Sequence, residues 1–248
     1  MRTESFIIPS GITCTIRETN GSDDDIISAV GDPSIQIAKY LAGIVLSLDD
    51  EKRITSKTIQ SLGIRDKYYI LIKSRILSLG ESLIFTQDWG PEVGKVEYAI
   101  DLREFIWDYT TGPIPSFGEV GYSDQRIAPY PQDPKLPFEG TTPSGLSFRM
   151  TFLNGDGEAM MLKVPDSGRT INLKLKARNL EVFSNNLWMK VENFSNLSSR
   201  DMAYIRKLMD EMDPPVEGLA EIEHPLSREL VKVPLLSIQD FFFPVKIL

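Results

Sequence analysis

The sequence predicts an α+β protein built as two related domains, each with strands, one or two helices and a closing β-hairpin. Three observations predict it: the chain matches itself in order at a nearly constant offset, both copies pass through the same series of elements, and a proline-rich stretch separates them. At an offset of 134, Pro9-Ser10-Gly11 falls on Pro143-Ser144-Gly145, Asn20-Gly21 on Asn154-Gly155, and Val30 and Asp32 on Val164 and Asp166. One inserted residue moves the offset to 135, and then Leu62 meets Leu197, Arg65-Asp66 meets Arg200-Asp201, Tyr69 meets Tyr204 and Val96 meets Val231. A repeated order of this kind is the sequence mark of an internal duplication. The expected units are residues 1–107, an arm over 108–139 and residues 140–248.

Each copy opens with a turn and a strand. Gly11–Arg17 and Leu146–Phe152 alternate apolar and polar residues and are rich in β-branched and aromatic types. The Asn-Gly pairs that follow predict hairpins, because a type I′ turn needs positive φ at both central residues. In the first copy Asp32-Pro33 signals a helix start, with Asp as N-cap and Pro at the first helical position. Ile37, Tyr40-Leu41, Ile44-Val45 and Leu48 continue it as an apolar stripe. The matching stretch Thr170–Phe183 suits either a helix or a strand.

The clearest helix of the first copy has Tyr68, Leu71-Ile72, Ile76 and Leu79 on one face and Gly80 at its C-terminal end. Its counterpart starts at Ser198-Ser199-Arg200-Asp201, which resembles a capping box. It carries Tyr204-Ile205, Leu208-Met209 and Met212 and stops at Asp213-Pro214-Pro215. A hairpin closes each copy: Leu83–Phe85 with Val96–Ile100 across Asp88-Trp89-Gly90-Pro91, and Leu219–Ile222 with Val231–Leu235 across His224-Pro225-Leu226-Ser227. Aromatic segments follow, Phe105-Ile106-Trp107 and Phe241-Phe242-Phe243-Pro244. The arm between the copies holds six prolines with Phe117, Tyr122, Tyr130 and Phe138. Such composition disfavours regular elements, and its aromatics suit a segment that packs along a neighbour or its own domains.

Composition excludes several function classes. With 248 residues the chain can bury a core without staples. One cysteine, Cys14, permits neither an intrachain disulfide nor a structural zinc site, and a buried inert thiol is expected. One histidine, His224, leaves a single candidate for any histidine-based triad, and no nucleophile motif accompanies it. The net charge is −8, and no long Lys/Arg run occurs, so no nucleic-acid partner is expected. Apolar runs are too short for a membrane span, and Met1–Ser5 does not open a secretion signal. Asp23-Asp24-Asp25 and Asp49-Asp50-Glu51 read as solvated loop charge, without the spacing of a calcium loop. No phosphate-binding glycine loop is present. No cofactor, metal or small-molecule substrate is expected.

Four features stand as candidate partner-binding elements. Arg65 and Arg200 recur beside Asp66 and Asp201; each Asp suits the helix dipole, and each Arg could pair with a partner carboxylate. Trp89 lies at a hairpin tip. Tyr122 and Tyr130 lie in the arm. Phe241, Phe242 and Phe243 either fold into the second domain's core or anchor in a partner.

The chain resembles the phage T4-type baseplate family, the hub and hub-assembly proteins of contractile tails. The resemblance is carried by Pro9-Ser10-Gly11, by Ser61–Tyr68 opening a helix that ends Arg75–Gly80, by the hairpin leading to Ile100-Asp101-Leu102, and by Asp240–Pro244. It implies a non-enzymatic, structural or assembly role among other baseplate and tail proteins, in the virion baseplate or in the host cytoplasm during assembly. It also implies Cys-x-x-Cys pairs in the hairpins of relatives. Here those turns read Gln87-Asp88-Trp89-Gly90 and Glu223-His224-Pro225-Leu226, which cannot hold zinc through cysteine. The alternative from the residues is a carboxylate-based hydrolase with an Asp/Glu pair at an interdomain cleft, which needs two acidic side chains facing one pocket about 5–10 Å apart.

Overall fold

A computed structural model describes residues 1–29, 31–111, 126–168, 170–214, 216, 219–234 and 241. It is a mixture of helices and small antiparallel sheets, in agreement with the α+β expectation. In the N-terminal half, strands β1 (Thr3–Ile7), β2 (Thr13–Arg17) and β3 (Val45–Leu48) form one sheet in that order. Helices α1 (Gly21–Ser28) and α2 (Pro33–Ile44) lie between β2 and β3 in the chain. Helices α3 (Ser56–Ser61) and α4 (Ile64–Leu79) follow, then the hairpin β4 (Ser82–Asp88) and β5 (Lys95–Asp101). The C-terminal half has β6 (Phe138–Thr141), β7 (Ser147–Met150), α5 (Gly155–Leu162), α6 (Ile171–Ala177), β8 (Glu181–Ser184), β9 (Leu187–Lys190) and α7 (Ser199–Met212), then the hairpin β10 (Leu219–Glu223) and β11 (Leu230–Pro234). The element order of the first half thus recurs in the second, with β9 added and a 3-10 turn at Phe194–Asn196 where α3 would stand.

Local hydrogen bonds recur with the order. The turn after β1 has Ile8 N–H on Ile12 O and Gly11 N–H on Ile8 O; the turn after β6 has Thr142 N–H on Leu146 O and Gly145 N–H on Thr142 O. Gly11 and Gly145 both sit at positive φ, 83° and 86°, which a side chain would strain. These Pro-Ser-Gly turns therefore make the first hairpin of each half. The Asn-Gly pairs do not, contrary to expectation. Asn20 and Asn154 are extended and cap α1 and α5, their side chains accepting from Ser22 N–H and Gly157 N–H. An Asn oxygen that satisfies an orphan helix amide outweighs the turn preference of the dipeptide. In the first half Asp23 joins that cap. It is buried and paired with Arg17 at 2.7 Å, not solvated as the Asp run suggested.

Other boundaries follow the sequence signals. Asp32 caps α2, and Gly80 ends α4 with φ of 87°. Ser198 caps α7, and its hydroxyl accepts from Asp201 N–H. The apolar run at the end of α2 does not remain helical: Val45 and Leu48 belong to β3. The ambiguous stretch after Thr170 is both, a short helix and then a strand.

Buried apolar residues form two main clusters. The larger joins the first sheet to α2 and α4 through Phe6, Ile16, Leu41, Ile44, Tyr69 and Ile70. It also takes Ala220, Ile222, Val233 and Phe241 from the C-terminal segment. The smaller joins the four-stranded sheet β6-β7-β8-β9 to α6 and α7 through Phe138, Phe148, Met150, Leu175, Ile205 and Met209. Helix α5 packs against α2, α3 and α4 and so forms the seam between the halves. Among the described residues no helix is long and apolar enough to cross a membrane.

Candidate functional site

The start of α4 buries three successive charged residues. Arg65, Asp66 and Lys67 are successive residues, each about 1% exposed or less, and each faces a different neighbour. Arg65 donates to Pro129 O at 2.7 Å and Met212 O at 3.3 Å, and lies 3.8 Å from the Asp213 carboxylate. Arg178, from the end of α6, holds Asp213 at 2.8 Å, and Leu153 N–H donates to the same carboxylate. Asp66 accepts from Ser10 N–H at 2.9 Å, at the first Pro-Ser-Gly turn. Burial pushes its carboxyl up to about 7, against the lowering effect of Ser10 and of Arg65.

Lys67 points into the seam. Its ammonium lies 2.5 Å from Glu158 Oε2 on α5 and 3.1 Å from Ser34 Oγ on α2. Ser34 donates to the same Glu158 oxygen at 2.8 Å, and Tyr68 donates to Oε1 at 2.7 Å. A serine beside a lysine suggests a nucleophile and its base, but that chemistry needs a neutral lysine and access for a substrate. Here the lysine is ion-paired, the serine is bound to the carboxylate, and both are at most 1% exposed. The arrangement fastens α2, α4 and α5 together. Sequence reasoning missed Ser34, Lys67 and Glu158 because no local spacing joins positions so far apart.

The two closing hairpins meet at their tips. Trp89 Nε1 donates to Tyr98 Oη at 3.1 Å, and Tyr98 donates to Glu223 O at 2.9 Å. The Trp89 and His224 rings pack edge to face at 4.5 Å. His224 Nδ1 accepts from the Leu226 and Ser227 amides of its own turn. Leu226 and Leu230 beside it are 64% and 68% exposed.

The expected contact residues are not brought to one place. Trp89 is half-buried against His224, and Arg200 is exposed on the first turn of α7. Arg65 is not a surface residue: the arm and the second half cover it, and its guanidinium serves internal carbonyls. Tyr130 is likewise internal, with its hydroxyl accepting from Arg65 N–H at 3.1 Å and its ring 4.9 Å from the guanidinium. The described part of the arm thus packs on its own chain, with Ile127 N–H on Phe105 O and Tyr130 N–H on Pro9 O. Phe241 is 1% exposed and enters the first cluster, not the second domain's core, and its carbonyl accepts from Arg75 Nε at 2.9 Å. Tyr122, Phe242 and Phe243 lie outside the described residues. Cys14 is buried, and burial pushes its thiol up to about 12, the state of an inert thiol.

The outer face of the four-stranded sheet is the other distinctive surface. Directly paired residues Glu139, Arg149, Glu181 and Lys190 cross it as a row of alternating charge. Arg149 is bound to Glu181 at 2.6 Å. Beside the row, Phe183 and Trp188 pair at 5.2 Å, and Arg149 lies 4.5 Å from the Trp188 ring. A shallow groove of about 380 Å³ runs between this pair and Thr141, Ser147 and Glu139. Sequence reasoning missed the β8–β9 hairpin, although Asn185-Asn186 between two β-rich runs is its signal; both asparagines have positive φ. A second groove, of about 680 Å³ along α6 and α7, holds Glu192 as its carboxylate. Among the described residues no group of three or more His, Cys, Asp or Glu side chains is placed to hold a metal ion.

Comparison of the chain with protein-family models, with curated proteins and with solved structures finds no match.

Proposed function

We propose that the protein is a structural or assembly component that works through protein–protein contacts, in the hub region of a phage-type contractile-tail baseplate. The observation that carries the contact reading is a division of labour in the side chains. The charged groups of the seam are committed to internal partners, while large apolar side chains stand exposed on β8, β9 and the second hairpin: Phe183, Leu187, Met189, Leu226 and Leu230. Three of them, Phe183, Leu187 and Met189, stand on the single hairpin β8–β9, and a concentration of exposed apolar side chains on one element suits an interaction site. The baseplate setting is supported by the sequence resemblance alone. The same reading includes descent from a duplicated unit, supported by the repeated element order and the matched turn hydrogen bonds.

The test is recovery of the tagged chain from cells making the phage that encodes it. Tail and baseplate proteins should copurify, and cryo-EM of the assembly should place the chain near its axis. Recovery of the chain without tail components would refute the baseplate setting. The hydrolase alternative needs a facing acidic pair, and among the described residues the groove on the four-stranded sheet and the groove along α6 and α7 each contribute one carboxylate, Glu139 and Glu192.

A further inference from the structure

The sheets of the two halves are alike in order but differ on their outer faces. The first presents a row of hydroxyls, Ser5, Thr15 and Ser47, with Ser5 and Thr15 hydrogen-bonded at 2.9 Å. Its last strand is followed at once by a return of the chain, Leu48 and Glu51 exchanging both backbone hydrogen bonds. The second presents the charge row and the Phe183–Trp188 pair, and it ends on β9, to which no further strand is paired among the described residues.

Sheet edges of soluble proteins are ordinarily blunted by charge, proline, bulges or a covering element, because an open edge is a template for another strand. Strand β9 carries one such charge, Lys190. Its other residues are apolar: Leu187 and Met189 are 66% and 51% exposed, and Trp188 is half-buried on the outer face. Lys190 terminates the sequence minus, plus, minus, plus across the four strands. A fifth strand would continue that row with a negative residue opposite Lys190 and put apolar residues opposite Met189. Directly opposed side chains of paired strands interact, favourably for opposite charges and unfavourably for like ones.

We infer that β9 is a docking edge for an extended segment of a partner protein, added as a fifth antiparallel or parallel strand. The segment alternates, with apolar side chains towards the core face and an acidic side chain opposite Lys190. Main-chain hydrogen bonds supply the attachment and the alternate side chains the selectivity, as in other strand additions. A second copy of this chain fits less well. Strand β9 carries no carboxylate of its own, so a second copy of it brings no negative residue opposite Lys190. The inference deepens the contact reading and rests on it, but it is independent of the baseplate setting.

The test is selection of ten-residue peptides from a yeast-display library against the full-length protein and against Lys190→Glu. Lys190 is exposed but lies opposite Glu181, so circular dichroism checks that the variant keeps the fold, and Lys190→Gln, which adds no like charge, should lose the acid preference in the same selection. The expected result is enrichment of alternating peptides with Asp or Glu at one polar position, and replacement of that acid by Lys or Arg with Lys190→Glu. An enriched peptide should bind the variant about three- to tenfold more weakly, the effect of reversing one cross-strand charge pair. Hydrogen exchange on the complex should protect the Leu187–Lys190 amides. Three results would overturn the inference: no enrichment, enrichment with no change of charge preference, or a concentration-dependent dimer that protects β9 by itself. None of these would touch copurification with tail proteins, so failure here is distinct from failure of the baseplate reading.

Discussion

Helices α4 and α7 begin with the same dipeptide and live in opposite surroundings. Arg65-Asp66-Lys67 is buried to the last atom of its ammonium, whereas Arg200 is exposed and the position after Asp201 is Met202, a core residue. Both aspartates serve the same neighbour, the Pro-Ser-Gly turn before the second strand of their sheet. Asp66 accepts the Ser10 amide, and Asp201 accepts the Ser144 amide and the Ser144 and Ser198 hydroxyls. The shared bond follows from local geometry. The difference comes from what lies on top: Pro129, Tyr130, α5 and the Met212-Asp213 end of α7 cover the start of α4. Burial is therefore a property of the assembled halves and not of the helix.

The largest break in this comparison should come from the seam pair. Lys67→Met installs the residue found at the corresponding place in α7 and strands Glu158 in the interior. Removing one member of a buried ion pair costs about 3–5 kcal/mol, because the remaining charge has no counterion. The double variant Lys67→Met with Glu158→Leu should recover most of the loss, leaving the Tyr68 hydroxyl without its acceptor and the Ser34 hydroxyl with the Gly155 carbonyl at 3.5 Å. Urea unfolding of the native protein and the two variants checks this; a double variant as unstable as the single would show that the packing, not the charge, is at fault. Next in size, Arg65→Ala should cost about 2–4 kcal/mol by leaving the Pro129 and Met212 carbonyls without their donor, while Asp213 keeps Arg178 and the Leu153 amide. Arg200→Ala should stay within about 0.5 kcal/mol, as for an ordinary surface change. Equal effects would erase the distinction between the two helix starts.

The features legible in the sequence are those with local causes. Asp32-Pro33, Gly80 and Ser198 mark helix ends because capping involves residues within one turn. Both closing hairpins appear where alternation and turn residues put them, with Leu83 opposite Ile100 and Ile222 opposite Val231. The face of α4 was not legible. The stripe Tyr68, Leu71, Ile72, Ile76 and Leu79 suggests one buried side, yet Arg65, Lys67, Ile70, Ser74 and Arg75 are all buried and Leu79 is 41% exposed. A helix enclosed on several sides loses its amphipathic signature, and only the covering elements reveal which polar residues lie inside. The same reason moved Arg65 and Tyr130 from a supposed surface to the interior.

The two aspartates should also divide by pH. The carboxyl of Asp66, pushed up to about 7 by burial, binds a proton more tightly folded than unfolded, where an aspartate titrates near 3.9. Its contribution is complete below about pH 4 and declines as pH rises to about 7, so this group makes the fold less stable at pH 8 than at pH 5. The Asp201 carboxyl is held low by the Ser198 hydroxyl first and then Thr142, so its contribution is present above about pH 4 and is lost as pH falls further. Asp66→Asn keeps an acceptor for the Ser10 amide and removes the buried charge. It should raise stability by about 1–3 kcal/mol at pH 8 and by little at pH 5. Asp201→Asn should lower the melting temperature at neutral pH by a few degrees. Thermal unfolding between pH 5 and 8 decides, and parallel profiles for the two variants would refute the contrast.

The smallest effects test the point where the halves agree and the sequence misleads. Asn20 and Asn154 cap α1 and α5 from extended backbone, so Asn→Ala should cost about 1 kcal/mol at each. The loss should be the greater at Asn154, because α5 carries Glu158 into the seam, and Asp23 in the first half still accepts the residue-20 amide when the Asn20 side chain is gone. Asn→Ser separates a cap from a turn. Serine caps a helix about as well as asparagine but does not favour the positive φ of a type I′ turn. Near-neutral Asn20→Ser and Asn154→Ser, beside destabilising alanine variants in chemical denaturation, is the pattern of two caps. Serine variants as damaging as alanine would return both sites to hairpin turns, and with them the start of α5 from which Glu158 reaches Lys67.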